Sequence, residues 1–451
     1  MPLPPGPKGR LLQTMKLLRS PFTYYPPVFK KYGDPFTIPA INGTVVCTAR
    51  PELIKKIFAA DPNTYLPFAV DSFLTLVGPR SVFVLTGAEH RRERKLLMPP
   101  FHGDRMRAYG RAMMAVAEQK ANAWTAGKPF AMMDSTQEMT LDIIIRTVFG
   151  VQDETTLVAL RDAIRVMAES VHPMVMFTKF MRNEFGGFGP YSRMIRSRKA
   201  LDAIVVGEIQ RRRKTEDFGQ DILSLLLMSR YDDGSEMDDA TICDELRGLL
   251  FAGHETTAIA LAWAFYWTHK HPEVLARLHE EIDALPVDAD PEVIAKLPYL
   301  DAVCSETMRL NPIIQENIRT LAVPFELGGY TIEPGVCVAS VSAMLHYDPE
   351  LYPEPHAFRP ERFLERSFGP HEYIPFGGGH RRCIGAAFAS FEMRLILATV
   401  LRSRKLRLET DADLIAVRRN VTMAPQKGVP MVYVGERGAP FQPAEAAMAA
   451  V

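Results

Sequence analysis

A mainly α-helical fold with a minor β region is predicted for this chain of 451 residues, on three observations. Apolar residues recur at helical spacing through most of Pro51 to about Phe180, with breaks at Gly87, Pro99 and Gly150. One helix is expected to run from a cap at Asp238 or Asp239 to about Lys270, roughly 45 Å or more at about 1.5 Å per residue, long enough to cross the molecule. Strand signals are few and short. Phe36–Thr48 reads as two strands around an Asn42-Gly43 turn, and alternation recurs at Arg319–Phe325 and Val336–Val341.

The remaining segments fit between these. Lys199–Arg213 is a basic amphipathic helix whose charge run reads as a solvated face. A helix over Tyr299–Leu310 stops at Asn311-Pro312, because a proline disfavours helical backbone in the residue before it. Asp348–Pro375 is dense in proline and lacks periodicity. So long a structureless stretch is uncommon in a compact domain and points to function. With no linker, charge block or internal repeat, residues 1–451 are expected to form one domain, and 436–451 a flexible tail.

Lys plus Arg and Asp plus Glu balance at 53 each, which removes the electrostatic argument for nucleic acid. Five cysteines (Cys47, Cys243, Cys304, Cys337, Cys383) lie far apart, with no CxxC pair. That pattern fits a reducing, cytoplasmic setting and argues against a disulfide framework or a zinc site. No secretory signal or membrane anchor is expected. The apolar stretch Leu246–Trp267 contains Arg247, His254 and Glu255, which suits a core helix better than a bilayer span.

The most informative segment is Phe376-Gly377-Gly378-Gly379-His380-Arg381-Arg382-Cys383-Ile384-Gly385. Its glycines let the backbone pass close to a flat group and leave amide N–H groups free to face the sulfur. A helix N-terminus at Ala386 and two arginines favour anionic sulfur, so Cys383 is expected to be a thiolate. A thiolate so held suits an axial ligand of haem iron. With Phe376, Gly379, Arg381, Cys383 and Gly385 in place, the segment resembles the cysteine loop of the cytochrome P450 family. The resemblance implies the family's triangular helical prism, with haem b between the long helix and the cysteine-loop helix, and Cys383 on the iron.

Three further motifs match the same family. Ala252-Gly253-His254-Glu255-Thr256-Thr257, midway along the long helix, resembles its oxygen-activation motif. Ala252 and Gly253 would open space against the flat cofactor, Thr256 would steady the oxygen intermediate, and Glu255 would relay protons from water. Thr256 and Thr257 read without the resemblance are ordinary hydroxyls bonding the preceding turn. Glu306-Thr307-Met308-Arg309 puts acid and base on one helix face. With Arg362 it resembles the family's buried Glu–Arg–Arg cluster, a structural device that keeps the cysteine loop in register. His90 and Arg94, with Arg319 and Arg381, match the family's haem-propionate partners, where guanidinium–carboxylate pairing is bidentate. Arg91, Arg92 and Lys95 fall on the other side of that helix, facing an acidic electron donor or water.

The reaction implied is insertion of one oxygen atom from O2 into a C–H or C=C bond of an apolar substrate. No nucleotide-binding fingerprint is present, so ferredoxin and ferredoxin reductase, or flavodoxin, are the implied electron donors, and the enzyme is expected to be a monomer. Phe68, Phe73, Leu74 and Val77 make the loop between the first helices strongly apolar, and Leu249, Phe251, Ile314, Ile318 and Met423 fall where the family lines its pocket. They favour a lipid-like molecule such as a fatty acid, alkane or terpenoid. Two other readings stay open: a peroxide-driven or isomerising relative, and a non-catalytic haem sensor or carrier.

Overall fold

Asp238 starts the longest helix among the described residues. Its carboxylate accepts the Thr241 N–H (2.9 Å) and hydroxyl (2.8 Å), and the helix runs Asp239–Lys270, 32 residues. This computed structural model describes residues 2–442 apart from 69, 102–104, 152, 172–174, 176–178 and 217. The central helix is buried along nearly its whole length and packs on Met132–Phe149 and on the cysteine helix, Ala386–Ser403. One contiguous hydrophobic core joins these helices to Arg105–Ala121, Pro190–Thr215 and Pro298–Leu310.

The largest part of the β region is a five-stranded sheet, accompanied among the described residues by a three-stranded and two two-stranded sheets. The five strands are β1 (Phe36–Ala40), β2 (Gly43–Thr48), β3 (Tyr65–Leu66), β4 (Glu316–Leu321) and β5 (Cys337–Val341), in the order β1-β2-β5-β4-β3. The β2–β5 pair is parallel and the others antiparallel. Side chains alternate between two small cores, as the strand period of two requires. Val338 faces one core with Val46 and Phe58, while Cys337, Ala339 and Val341 face the other with Tyr25 and Ile38. The sheet is therefore covered on both sides and fixes the arginine on β4, Arg319.

Several expected boundaries move. The helical stretch after Pro51 is interrupted at 60–68, 78–86 and 122–131, and a helix (Gly87–Leu97) begins at the expected break Gly87. The charge run of the basic helix is not wholly solvated. Arg212 is buried and ion-paired to Asp221 (2.7 Å) and Glu208 (2.6 Å). Residues 436–442, expected to belong to a flexible tail, are held to the body. Arg437 pairs with Asp283, Phe441 is buried under the Arg402 guanidinium, and the Gln442 N–H donates to Val287 O (2.8 Å). Residues 443–451 lie outside the described residues.

Candidate functional site

The cysteine loop is closed by its own backbone. The Cys383 N–H donates to Phe376 O (3.0 Å), Arg382 N–H to Gly379 O (3.0 Å) and Gly377 N–H to Ile374 O (3.0 Å). Its glycines have a local cause that differs from the sequence reading. A Cβ at Gly378 would sit 2.1 Å from the Phe58 ring, and one at Gly379 (φ +65°) 2.3 Å from Phe58 O. The loop is thus pressed on the helix Pro51–Ala59, where no side chain fits. At Gly385 a Cβ would meet nothing within 4 Å, so that position keeps open space beside the cysteine.

Cys383 is exposed while the other four cysteines are buried. Burial of its surroundings is the largest influence and raises its thiol above the ordinary value, against the Gly385 N–H and the Arg382 and Arg94 charges that lower it. Burial and the surrounding N–H and cations thus act on the sulfur in opposite directions. A metal cation at the sulfur would reverse that balance.

Beside the cysteine lies a cluster of cations without anions. Arg94, Arg319 and Arg381 are half-buried, and no Asp or Glu is among the charges acting on them. Burial first, then mutual repulsion, brings Arg381 down to about 10, and burial brings Arg319 to the same value. His90 is lowered to about 3 by burial and then by Arg381, His380, Arg94 and Arg319. Arg381 donates to Val82 O (3.0 Å) and Leu85 O, and Arg319 to Gly378 O (3.0 Å). Arg319 Nε and His90 Nδ1 are buried with no partner. Three guanidiniums, one of them with its Nε unpaired, and the unpaired His90 Nδ1 stand near one cysteine without a counter-charge. Two carboxylates on a flat group bearing a metal would supply one, so the residues present fit haem. His380, between the Tyr65 and His90 rings (6.2 and 5.9 Å), belongs to the same cluster. It lies inside the cysteine loop, where sequence alone gives it no role.

The central helix is buried on either side of one window, Phe251–Thr256, where all six residues are partly exposed. Thr256 Oγ1 donates to Ala252 O (2.6 Å), one turn back, a bond that tends to bend a helix. Glu255 Oε1 pairs with Arg419 Nε at 2.7 Å. Burial raises the Glu255 carboxyl, and Arg419 opposes it. Gly253 also meets the neighbouring helix. Its missing Cβ points at Ile144 Cδ1 (2.6 Å) on Met132–Phe149, so its smallness serves a close helix crossing. Arg419, on a hairpin far along the chain (Ala416–Arg419 with Thr422–Pro425), gave no signal in sequence.

Glu306, Arg309 and Arg362 come together fully buried. Arg309 reaches Glu306 with two bonds (2.7 and 2.9 Å), and Arg362 with one (3.0 Å). The remaining guanidinium N–H groups hold the proline-dense segment by its carbonyls: Pro355 and Ala357 from Arg309, Pro353 and Glu354 from Arg362.

Residues 3–430 match the family model "Cytochrome P450". The chain belongs to the cytochrome P450 family. Relatives from Mycobacterium tuberculosis bear the names cytochrome P450 138 and cytochrome P450 135B1. The first is 35% identical over 431 residues, covering 94% of this chain and 95% of the relative. The second is 33% identical over 434 residues, covering 95% and 90%. The fold matches the solved structure "Retinoic acid bound cyanobacterial CYP120A1" with a TM-score of 0.85 at 24% identity, over 97% of this chain and 100% of that one. As a cytochrome P450 the enzyme is a haem-thiolate monooxygenase. The family generally uses O2 and external redox partners.

The residues expected to line the P450 pocket divide. Phe68, Phe73, Leu74, Leu249, Ile314 and Ile318 are partly exposed. Val77 and Met423 are not pocket residues here: both are fully buried, and the Met423 N–H is taken up by Ile313 O (3.1 Å). Phe251 lines a cavity of about 520 Å³ behind the central helix, shared with Gln137, Leu141, Ile164, Glu255 and Arg419. Its charged rim is unlike a lipid site. On the helix Gly87–Leu97, Lys95 pairs with Asp232 (2.6 Å), and Arg92 pairs with Asp233 and stacks on Tyr231. These two cations are engaged within the chain. Among the described residues no helix is long and apolar enough to cross a membrane.

Proposed function

We propose that this cytochrome P450 inserts one atom of O2 into a C–H or C=C bond of a lipid-like substrate, a fatty acid, alkane or terpenoid. Residues 1–451 act as one domain, and electrons come from a ferredoxin with its reductase, or a flavodoxin. The observation that carries the reading is the carboxylate-free cluster of Arg94, Arg319 and Arg381 beside the exposed Cys383. Cys383 would ligate iron, and His90, Arg94, Arg319 and Arg381 would hold the propionates. Phe376, Gly379 and Gly385 would shape the loop. Haem so bound supplies the oxidising chemistry.

The chain's own residues then bind, orient and move protons. The Thr256 proton is committed to Ala252 O, so its hydroxyl oxygen can only accept a hydrogen bond and positions a donor there. Glu255, with Oε1 on Arg419, has Oε2 to take up a proton and pass it on. Burial and the guanidinium act on its carboxyl in opposite directions, which keeps it exchangeable. The apolar side chains of Phe73, Leu74, Leu249, Ile314 and Ile318 exclude water around the substrate. The test is a reconstituted assay measuring NADPH consumed, hydrogen peroxide released and product formed. Thr256→Ala should keep haem and substrate binding while product falls about 10²-fold or more and peroxide rises. Unchanged coupling in that variant removes Thr256 from the mechanism.

A further inference from the structure

The helix Arg10–Arg19 near the N-terminus is built like a membrane-surface element. Arg10–Arg19 (RLLQTMKLLR) lies against the body by one side only. Gln13 is buried and bonded to Tyr24 Oη (2.9 Å) and Lys8 O (2.9 Å), and Leu17 packs on the Tyr24–Tyr25 core. Arg418 donates to Leu17 O and Leu18 O (3.5 and 3.2 Å), fixing the C-terminal end. The helix is therefore held in a set orientation.

On the outward side stand Leu11, Leu12, Met15 and Leu18, exposed by 62, 53, 60 and 41%. At about 100° per residue they fall within an arc of about 120°, opposite Gln13 and Leu17. Lys16 lies on one flank of that arc and Arg19 just inside the same edge, while Arg10 falls near Leu17 on the other side of the helix. Exposed Ile41, whose N–H donates to Thr14 Oγ1 (3.0 Å), extends the apolar surface beyond the helix. Large apolar side chains at such exposure cost free energy in water unless something covers them.

Charge decides between the candidate covers. Residues 1–33 hold six cations (Lys8, Arg10, Lys16, Arg19, Lys30, Lys31) and no Asp or Glu, in a chain whose charges otherwise balance. A second copy docking on this face would set these cations against their equivalents. An anionic bilayer would accept both the apolar stripe and its basic edge, each in its own layer. We infer that this helix docks the enzyme reversibly on anionic lipid surfaces, with Leu11, Leu12, Met15 and Leu18 in the acyl boundary and Lys16 and Arg19 among the headgroups.

The test uses full-length holoenzyme and sedimentation with vesicles of phosphatidylcholine alone or containing phosphatidylglycerol. The wild type should bind the anionic vesicles at least tenfold more tightly, and salt should release it. Lys16→Glu with Arg19→Glu should weaken binding more than tenfold, since removing one cation near such a surface is worth about fivefold. Leu11→Gln, Met15→Gln and Leu18→Gln together should abolish it. All variants should keep wild-type haem content and thermal midpoint, because the substituted side chains face outward. Equal binding to both vesicle types, or wild-type binding by the triple variant, would overturn the inference. So would sedimentation velocity showing a dimer that the triple variant dissolves, with no vesicle binding by either protein.

Discussion

Glu306 offers the sharpest test of how the fold supports the cysteine loop. Its carboxylate accepts four hydrogen bonds: two from Arg309 (2.7 and 2.9 Å), one from Arg362 (3.0 Å) and one from the Arg359 N–H (2.9 Å). All three charged side chains are buried, so Glu306→Ala strands two guanidiniums without a counter-charge. Breaking a buried pair by removing one partner costs about 3–5 kcal/mol, a large share of the roughly 5–15 kcal/mol that holds a typical domain folded. The carbonyls of Pro353, Glu354, Pro355 and Ala357 hang on the same arginines. The loss should therefore loosen the segment leading to Cys383 and lower haem retention. Urea unfolding of purified protein, read by fluorescence and haem absorbance, would show the shift, and the haem-to-protein ratio would fall. Asp232→Ala, which breaks an exposed pair with Lys95, is the control and should cost less than about 1 kcal/mol. A Glu306→Ala protein with full haem and stability within about 1 kcal/mol of wild type would refute the reasoning.

Two other predictions follow from the same geometry. Removing Arg419 leaves burial unopposed at Glu255, so its carboxyl rises further. The acid limb of the turnover pH profile should move to higher pH in Arg419→Ala and return in Arg419→Lys; an unmoved limb contradicts the proton-relay role. His346 is fully buried, accepts the Ile374 N–H (3.0 Å), and is lowered to about 3, chiefly by burial and then by Arg309. Its folded value lies below the unfolded 6.5, so the unfolded chain binds the extra proton. Stability from this group is present above about pH 6.5 and is lost as pH falls toward 3, by about 1.4 kcal/mol per unit in mid-range. Glu245, pushed up to about 8 by burial, slopes the opposite way. The measurement is therefore the difference between wild type and His346→Gln, which should shrink as pH drops; a constant difference rules the assignment out.

Much of the site was legible because its chemistry depends on spacing along the chain. The cap at Asp238, the Glu306–Arg309 pair and the cysteine loop are local patterns, and the structure brings Arg94, Arg319 and Arg381 together as expected. What escaped is long-range or masked by composition. Arg419 meets Glu255 across more than 160 residues, with nothing near either to announce it. Pro21–Tyr32 is a helix despite internal Pro26 and Pro27, and its buried Tyr24 and Tyr25 show that packing outweighs propensity there. At Gly378 and Gly379 the Phe58 ring and backbone leave no room for a side chain, and at Gly253 Ile144 Cδ1 crowds the position. Sequence shows that a position must be small, but not which neighbour makes it so.

The central claim is that Cys383 binds haem iron as a thiolate, and the visible spectrum of the dithionite-reduced carbon monoxide complex tests it most directly. The wild type and the Cys47→Ala, Cys243→Ala, Cys304→Ala and Cys337→Ala variants should all show the strongly red-shifted Soret band of thiolate ligation. Cys383→Ala should lose it. A red-shifted band that survives in Cys383→Ala, or that disappears with any of the other four cysteines, would contradict the account.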